Sequence, residues 1–176
     1  MLRTSPLPII ATLFFAAIAL AFAGVPSAFA LKKAVVGPVT LEVPDDFKEV
    51  AGAETPTIRQ DASGITVEVS ELPPEALEEF RGQPFLDFLA SLKYTNAAYA
   101  TGALNRRDTY SYVLADAVGA KGPESRFLLI IGDSKRAAII TAYAPKSEID
   151  NGHATRAAIE AILSSAAILP AGAAKR

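Results

Sequence analysis

Two apolar runs in the last third of the chain organise the reading. Phe127–Ile131 and Ala137–Tyr143 flank the charged stretch Gly132-Asp133-Ser134-Lys135-Arg136. Phe127–Ile131 is far shorter than the roughly 20 residues a membrane span needs, and charges bracket it. The stretch between the runs has the length and chemistry of a hairpin connection. Because Phe127-Leu128-Leu129-Ile130-Ile131 is apolar at both parities, it predicts a central strand covered on both faces, and Ala137–Tyr143 predicts its neighbour. Upstream, Val35–Val43 alternates, with Val39, Leu41 and Val43 facing one way and Thr40 and Glu42 the other, as a half-buried strand should. Pro44-Asp45-Asp46 ends it, and Phe47 and Val50 are expected to fold back onto the core edge. Thr57–Gln60 and Ile65–Val69, joined by Asp61–Gly64, predict a hairpin with Ile65, Val67 and Val69 on one face.

Pro73-Pro74 closes that unit and opens a helical stretch in which Pro84 suits a first helical position. Phe85, Phe88, Leu89 and Leu92 then fall at i, i+3, i+4 and i+7, predicting one apolar helical stripe against the core. Tyr99–Leu104 and Tyr110–Val118, joined by Asn105–Asp108, predict two more strands, and Gly119–Pro123 connects them to the two runs above. Connections this short imply antiparallel neighbours. Pro145 closes the last strand, and Ser147-Glu148-Ile149-Asp150 is similar to a capping box. Thr155, Ile159, Ile162, Leu163 and Ala166 recur on one helical face, and Pro170–Arg176 has the composition of a frayed tail. Strands grouped apart from helices predict an α+β domain: an antiparallel β-sheet flanked by helices on both faces.

With that order in place the chain resembles the Mog1/PsbP-like superfamily over roughly residues 34–167. The resemblance is carried by Val39-Thr40-Leu41-Glu42-Val43-Pro44-Asp45-Asp46-Phe47, similar to an opening strand ending in proline and an aromatic. The following hairpin, the Phe85-Phe88-Leu92 helix, the meander and the Ile159-Ile162-Leu163 helix followed by Ser164-Ser165 continue it. Phe47 stands where the family often has tryptophan. The resemblance implies an α/β/α sandwich. It also implies a non-catalytic accessory role, since members include photosystem subunits, a GTPase-binding factor and bacterial envelope proteins; fold alone does not select among these.

The first thirty residues change the picture of what is folded. Met1–Ser5 is a short basic start, Ile9–Ala23 is an almost unbroken apolar run, and Gly24 and Pro26 precede Ala28-Phe29-Ala30, a small-x-small cleavage pattern. The segment is expected to be a cleavable signal peptide (1–30) for the general secretory route, as no twin arginine precedes it, with the protein periplasmic or secreted. Residues 31–168 then form a single domain and 169–176 a flexible tail. Of 176 residues 146 remain, enough for one domain burying about two-thirds of its unfolded surface. The chain has no cysteine, so no disulfide or lipidated cysteine contributes and the core alone must stabilise the fold. Loss of Arg3 takes the formal net charge from −2 to −3, with the charges interspersed. No basic footprint for nucleic acid is present.

Candidate chemistry is sparse. His153 is the only histidine and lies off the apolar stripe of its helix; without cysteine or a second histidine a structural zinc site is not expected. Asp133-Ser134-Lys135 pairs serine with lysine, but in an exposed turn where lysine stays protonated. Glu71, Glu75, Glu78 and Glu79 form the densest acidic group and lack EF-hand spacing; acids at a helix start near Pro74 account for them. Gly119–Gly122 lacks the lysine-threonine pair of a phosphate loop. No catalytic residue, metal ligand or cofactor is assigned. Tyr110 and Tyr112 are expected to share a strand face that lines a pocket or partner surface, or simply core. Thr57–Gln60, limited by Pro56, is the expected free sheet edge, with Ile58 and Arg59 its contact residues. The leading function is thus an exported non-enzymatic accessory domain that binds another envelope protein. The alternatives are a carrier of a small apolar ligand in a sheet–helix cavity and a hydrolase of unrecognised site.

Overall fold

The computed structural model describes residues 31–100 and 109–170. The expected signal segment 1–30, the expected turn Asn105–Asp108 and the expected tail beyond Pro170 lie outside the described residues. In chain order the elements are β1 (Leu31–Val36), β2 (Val39–Pro44), β3 (Lys48–Glu49), β4 (Thr57–Arg59), β5 (Thr66–Leu72), a 3-10 helix (Pro74–Phe80), α1 (Gly82–Ser91), β6 (Thr95–Tyr99), β7 (Thr109–Gly119), β8 (Gly122–Gly132), β9 (Ala137–Pro145), α2 (Lys146–Asn151), α3 (His153–Ser165) and β10 (Ala167–Ile168). Among the described residues they build a seven-stranded sheet of order β3-β4-β5-β9-β8-β7-β6 and a three-stranded sheet of order β1-β2-β10. The pairings are antiparallel, as the short connections require. No described helix is long and apolar enough to cross a membrane.

The apolar runs of β8 and β9 lie in the middle of the large sheet, with Leu129 opposite Ile140 and Ile130 opposite Ile139. Their side chains alternate between two cores, because successive residues of a strand point to opposite faces. Phe127, Leu129 and Ile131 join a core with Ile140, Ala142, the β2 residues Val39, Leu41 and Val43, and Ile159, Ile162 and Leu163 of α3. Leu128 and Ile130 join a second core with Leu77 of the 3-10 helix, Phe85 and Leu89 of α1, and Val113. Helices therefore cover both faces, and on the α3 side the three-stranded sheet joins the cover. Between the two strands, the Asp133 carboxylate accepts hydrogen bonds from the backbone N–H groups of Lys135 (2.7 Å) and Arg136 (3.0 Å), closing the turn. Those two donors hold the Asp133 carboxyl below its ordinary value.

Several elements differ from the sequence expectation, each for a local reason. The single strand Val35–Val43 is two strands, because Gly37 (φ +54°) and Pro38 turn the chain so that Val36 pairs with Val39. Val39, Leu41 and Val43 are buried as expected and Phe47 is in the core, but Val50 is exposed. The hairpin residues Ile65, Val67 and Val69 are all buried. In α1, Phe85 and Leu89 are buried while Phe88 and Leu92 are each 53% exposed; half-buried Leu86 completes the inward stripe instead. A helix at a sheet margin touches the core along a narrower arc than the i, i+3, i+4, i+7 pattern supplies. Pro84 is the third residue of α1, which begins at Gly82. The strand expected at Tyr99–Leu104 lies mostly outside the described residues, with Tyr99 ending a strand β6 that begins at Thr95; β8 begins at Gly122 with Pro123 inside it, so only Ala120 and Lys121 connect β7 and β8. The capping box does not form: α2 starts at Lys146 with Pro145 at its N-cap and no side-chain cap, placing Ser147 inside the helix. Thr155, Ile159, Ile162, Leu163 and Ala166 lie on the inward side of α3 and its end, with all but half-buried Thr155 buried.

Substituting Ile130→Asp places a carboxylate at a fully buried position. An unpaired buried charge costs several kcal/mol against a total stability of roughly 5–15 kcal/mol, so the variant should be unfolded at room temperature. Lys135→Ala in the exposed turn should cost at most about 0.5 kcal/mol. Thermal denaturation followed by circular dichroism distinguishes the two; equal shifts would contradict the central placement of β8.

Candidate functional site

The start of β7 is irregular, and the irregularity shapes a cavity. Thr109 pairs with Ile131 and Ser111 with Ile130, so Tyr110 is an extra residue in the strand, a β-bulge. The bulge separates the two tyrosines expected to share a face. Tyr112 lies opposite Leu129 and enters the α3-side core, 5% exposed. Tyr110 packs against the α1-side core. The Arg81 guanidinium, at the junction between the 3-10 helix and α1, stacks over the Tyr110 ring with its carbon 3.7 Å from the centroid. Gly82 follows at φ +64°, a conformation glycine adopts without strain. Its carbonyl accepts a 3.0 Å hydrogen bond from the Tyr99 hydroxyl at the end of β6.

These contacts bring the α1 junction, the end of β6 and the start of β7 around a cavity of about 470 Å³, lined by Arg81, Gly82, Tyr99, Ala100 and the four residues Thr109–Tyr112. Six buried side-chain polar atoms among the described residues lack a hydrogen-bond partner, and four of them are the hydroxyls of Thr109, Tyr110, Ser111 and Tyr112. Buried polar groups are normally paired, so this concentration singles out the bulge as a departure from ordinary core construction. Burial and then a hydrogen-bonding interaction with the Glu78 carboxylate raise the Tyr110 phenol above its usual value, so this hydroxyl, though outside strict hydrogen-bond geometry, faces Glu78. Burial and then the charge of Glu160 raise the Tyr112 phenol. Both phenols therefore stay protonated at neutral pH. Among the described residues the cavity lining includes no carboxylate, histidine or cysteine, although the Glu78 carboxylate acts on Tyr110 from beside it.

The other two expected contact residues lie elsewhere. Ile58 is 3% exposed and packed in the core. The expected free edge at Thr57–Gln60 is occupied, because β3 pairs along the outer side of β4. The Arg59 side chain reaches the Asp61 carboxylate only at 3.9 Å and lines a separate cavity of about 200 Å³ with Lys121 and Tyr143. β4 and β7 are separated by three strands, roughly 19 Å at the usual strand spacing. The structure therefore does not unite Ile58 and Arg59 with Tyr110 and Tyr112. Arg81, Gly82 and Tyr99 were not singled out by sequence as a group. Only the tyrosine carried a signal, as one of five.

The remaining charged clusters are largely paired internally, with Arg126 Nε the exception. The Asp116 carboxylate receives Asn96 Nδ2 (2.9 Å), Ser125 Oγ (3.0 Å) and Lys146 Nζ (3.1 Å to each oxygen), joining β6, β7, β8 and α2. Burial opposes its ionisation, but these bonds outweigh burial and hold the carboxyl below its ordinary value. Arg126 donates to Glu124 (3.0 Å) and Tyr94 (3.1 Å) and stacks over the Tyr143 ring at 4.7 Å. Tyr143 donates to Glu68 at 2.6 Å, and burial together with that carboxylate pushes its phenol up to about 12. His153 and Lys135 are exposed. No group of three or more potential metal ligands occurs among the described residues.

The contrast between satisfied and unsatisfied hydroxyls is measurable. Tyr112→Phe removes a buried hydroxyl with no partner and should leave stability unchanged or raise it by up to about 1 kcal/mol, whereas Tyr143→Phe removes a bond to a carboxylate and should cost roughly 1 kcal/mol. Denaturant midpoints at constant m-value report both. A larger loss for Tyr112→Phe than for Tyr143→Phe would mean the Tyr112 hydroxyl is paired.

No protein-family model matches the sequence, and no curated protein matches it significantly. Similarity is found among solved structures. The fold is similar to the Ran-binding protein Mog1p of Saccharomyces cerevisiae, at 12% identity and a TM-score of 0.54, covering 81% of this chain and 97% of that one. It is also similar to cyanobacterial PsbP (CyanoP) of Synechocystis sp. PCC 6803, at 12% identity and a TM-score of 0.52, covering 82% of this chain and 96% of that one. Identities this low speak to architecture and not to shared activity. The large antiparallel sheet with helices on both faces, matched over nearly the whole length of both structures, is the Mog1/PsbP-like fold.

Proposed function

We propose that this chain is an exported, non-enzymatic accessory domain that acts by binding, with the cavity beside Tyr110 as its binding centre and another envelope protein as its partner. The observation that carries the proposal is the composition of that cavity. It joins aromatic rings, a stacked guanidinium and unpartnered hydroxyls, which are groups that recognise. Among the described residues its lining holds no acid–base pair of the kind acyl or glycosyl transfer uses. The fold it shares with Mog1p, a Ran-binding protein, supports a protein partner by analogy alone. Export rests on the amino-terminal pattern of basic start, apolar run and Ala28-Phe29-Ala30.

A second function is favoured by one feature, the cavity's volume. About 470 Å³ lies within the range of small-molecule sites, which supports a carrier of a small apolar ligand. A photoreactive residue at position 81, with a control at exposed Glu54, tests the leading function in whole cells. The expected result is a protein adduct at position 81 and none at position 54, on a chain whose amino terminus is Leu31. Equal labelling at both positions would contradict the placement of the binding centre, and a chain still beginning at Met1 would contradict cleavage. Absence of any protein adduct, together with a stoichiometric small molecule retained in native mass spectrometry, would replace protein binding with the carrier function.

A further inference from the structure

The geometry points to a binding site for an apolar molecule ending in a carboxylate, with Arg81 taking the carboxylate and the walls between Tyr99 and Tyr110 taking the apolar body. This inference deepens the carrier function and rests on it. Three observations combine. First, Arg81 has donors to spare. Its guanidinium is held flat on the Tyr110 ring, which fixes the plane without using an N–H. Its one carboxylate contact among the described residues, Glu78, is 3.8 Å away between side chains 56% and 77% exposed, beyond hydrogen-bonding distance and screened by water. A planar guanidinium presents its donors in a fork that matches the two oxygens of a carboxylate, and it has no acceptor to offer a hydroxyl or ammonium head.

Second, the rest of the lining suits an apolar body. The Tyr99 and Tyr110 rings, Ala100 and Gly82 surround the space. The Tyr99 hydroxyl is already spent on the Gly82 carbonyl, so its ring meets the cavity with no free polar end. Third, the Thr109 and Ser111 hydroxyls in the same wall have no partner among the described residues. A hydroxyl turns at little cost to donate to an oxygen-bearing head, which adds weak donors beside the strong one. Glu78 does not reverse the preference. Both members of its contact with Arg81 are exposed, so a bidentate head on the stacked guanidinium displaces an interaction of small worth.

Calorimetric titration of the purified protein with decanoate and with decan-1-ol, at pH 7.5 and moderate salt, tests the inference. The two probes share an apolar chain and differ in the head. Decanoate should bind at least tenfold more tightly than the alcohol. Arg81→Gln should abolish that difference while leaving alcohol binding within about twofold. Arg81→Lys, which keeps the charge and loses the fork, should retain only part of it. Ala100→Phe, which fills the cavity, should weaken both probes. Because Arg81 lies at the surface, unchanged thermal midpoints for its variants are expected and confirm intact folding. Equal affinity of the two probes for the wild-type protein would overturn the carboxylate assignment and leave the carrier function standing. Binding of neither probe would overturn both. An acidic peptide that displaces decanoate and binds more tightly through Arg81 would overturn the assignment to a small molecule.

Discussion

Burial of β8 on both faces is the constraint from which the rest of the structure follows. Phe127, Leu129 and Ile131 face one core, Leu128 and Ile130 the other, and all five are almost wholly buried. A sheet whose middle is apolar on both sides is not stable as one layer, because each face must be removed from water. The 3-10 helix with α1 meets one need, and α3 with the three-stranded sheet meets the other. The small sheet depends on the arrangement in turn. β10 pairs with Val39 and Thr40 of β2 immediately after α3 ends, and the Arg136 guanidinium donates to the Leu169 carbonyl at 2.6 Å. The charged turn between the central strands thus also holds the end of the described chain.

Because the centre of the sheet is committed to packing, polar irregularity collects at its margins. Asp116 with Lys146, and Arg126 with Glu124, are paired networks in which the charges satisfy one another, Arg126 Nε alone lacking a partner among the described residues of these networks. Such networks rigidify, and they leave little capacity for a ligand. The bulge at Tyr110 differs in kind. It interrupts β7 where that strand leaves the centre and rotates Tyr110 and Tyr112 to opposite faces. It also leaves the Thr109, Ser111 and Tyr112 hydroxyls without a partner among the described residues, beside a stacked guanidinium. Departures from consistent construction are where function is expected, and in this molecule the clearest departure coincides with the cavity of about 470 Å³.

Much of the architecture was legible because long, strongly patterned segments report their surroundings. The doubly apolar Phe127–Ile131, the alternation Ile65-Val67-Val69 and the 3.6-residue spacing of Ile159, Ile162 and Leu163 each permit one environment. Less was legible where pattern and punctuation competed. Gly37-Pro38 sits inside an alternating run and reverses the chain, so one apparent strand is two. Phe88 and Leu92 complete a helical stripe in sequence, yet the position of α1 over the sheet margin leaves them in water. The site was the least legible part. A bulge changes the parity of Tyr110 without altering the local pattern, and Arg81 reaches Tyr110 from 29 positions away through tertiary packing alone. β3 was invisible too, being two charged residues that occupy the edge Thr57–Gln60 was expected to leave free.

Native-state hydrogen exchange resolved by residue tests the two-sided core most directly. Amides buried in the sheet centre exchange only through global unfolding, whereas margins open locally at lower free energy. The account predicts that the β8 and β9 amides between Phe127 and Ile131 and between Ile139 and Ala142 exchange slowest and share one free energy of opening. β6, at the sheet edge, and the residues around the Tyr110 bulge should exchange at least a hundredfold faster, a difference of about 2.7 kcal/mol in opening. Exchange of the β8 amides at the rate of those in β6 would contradict the central claim.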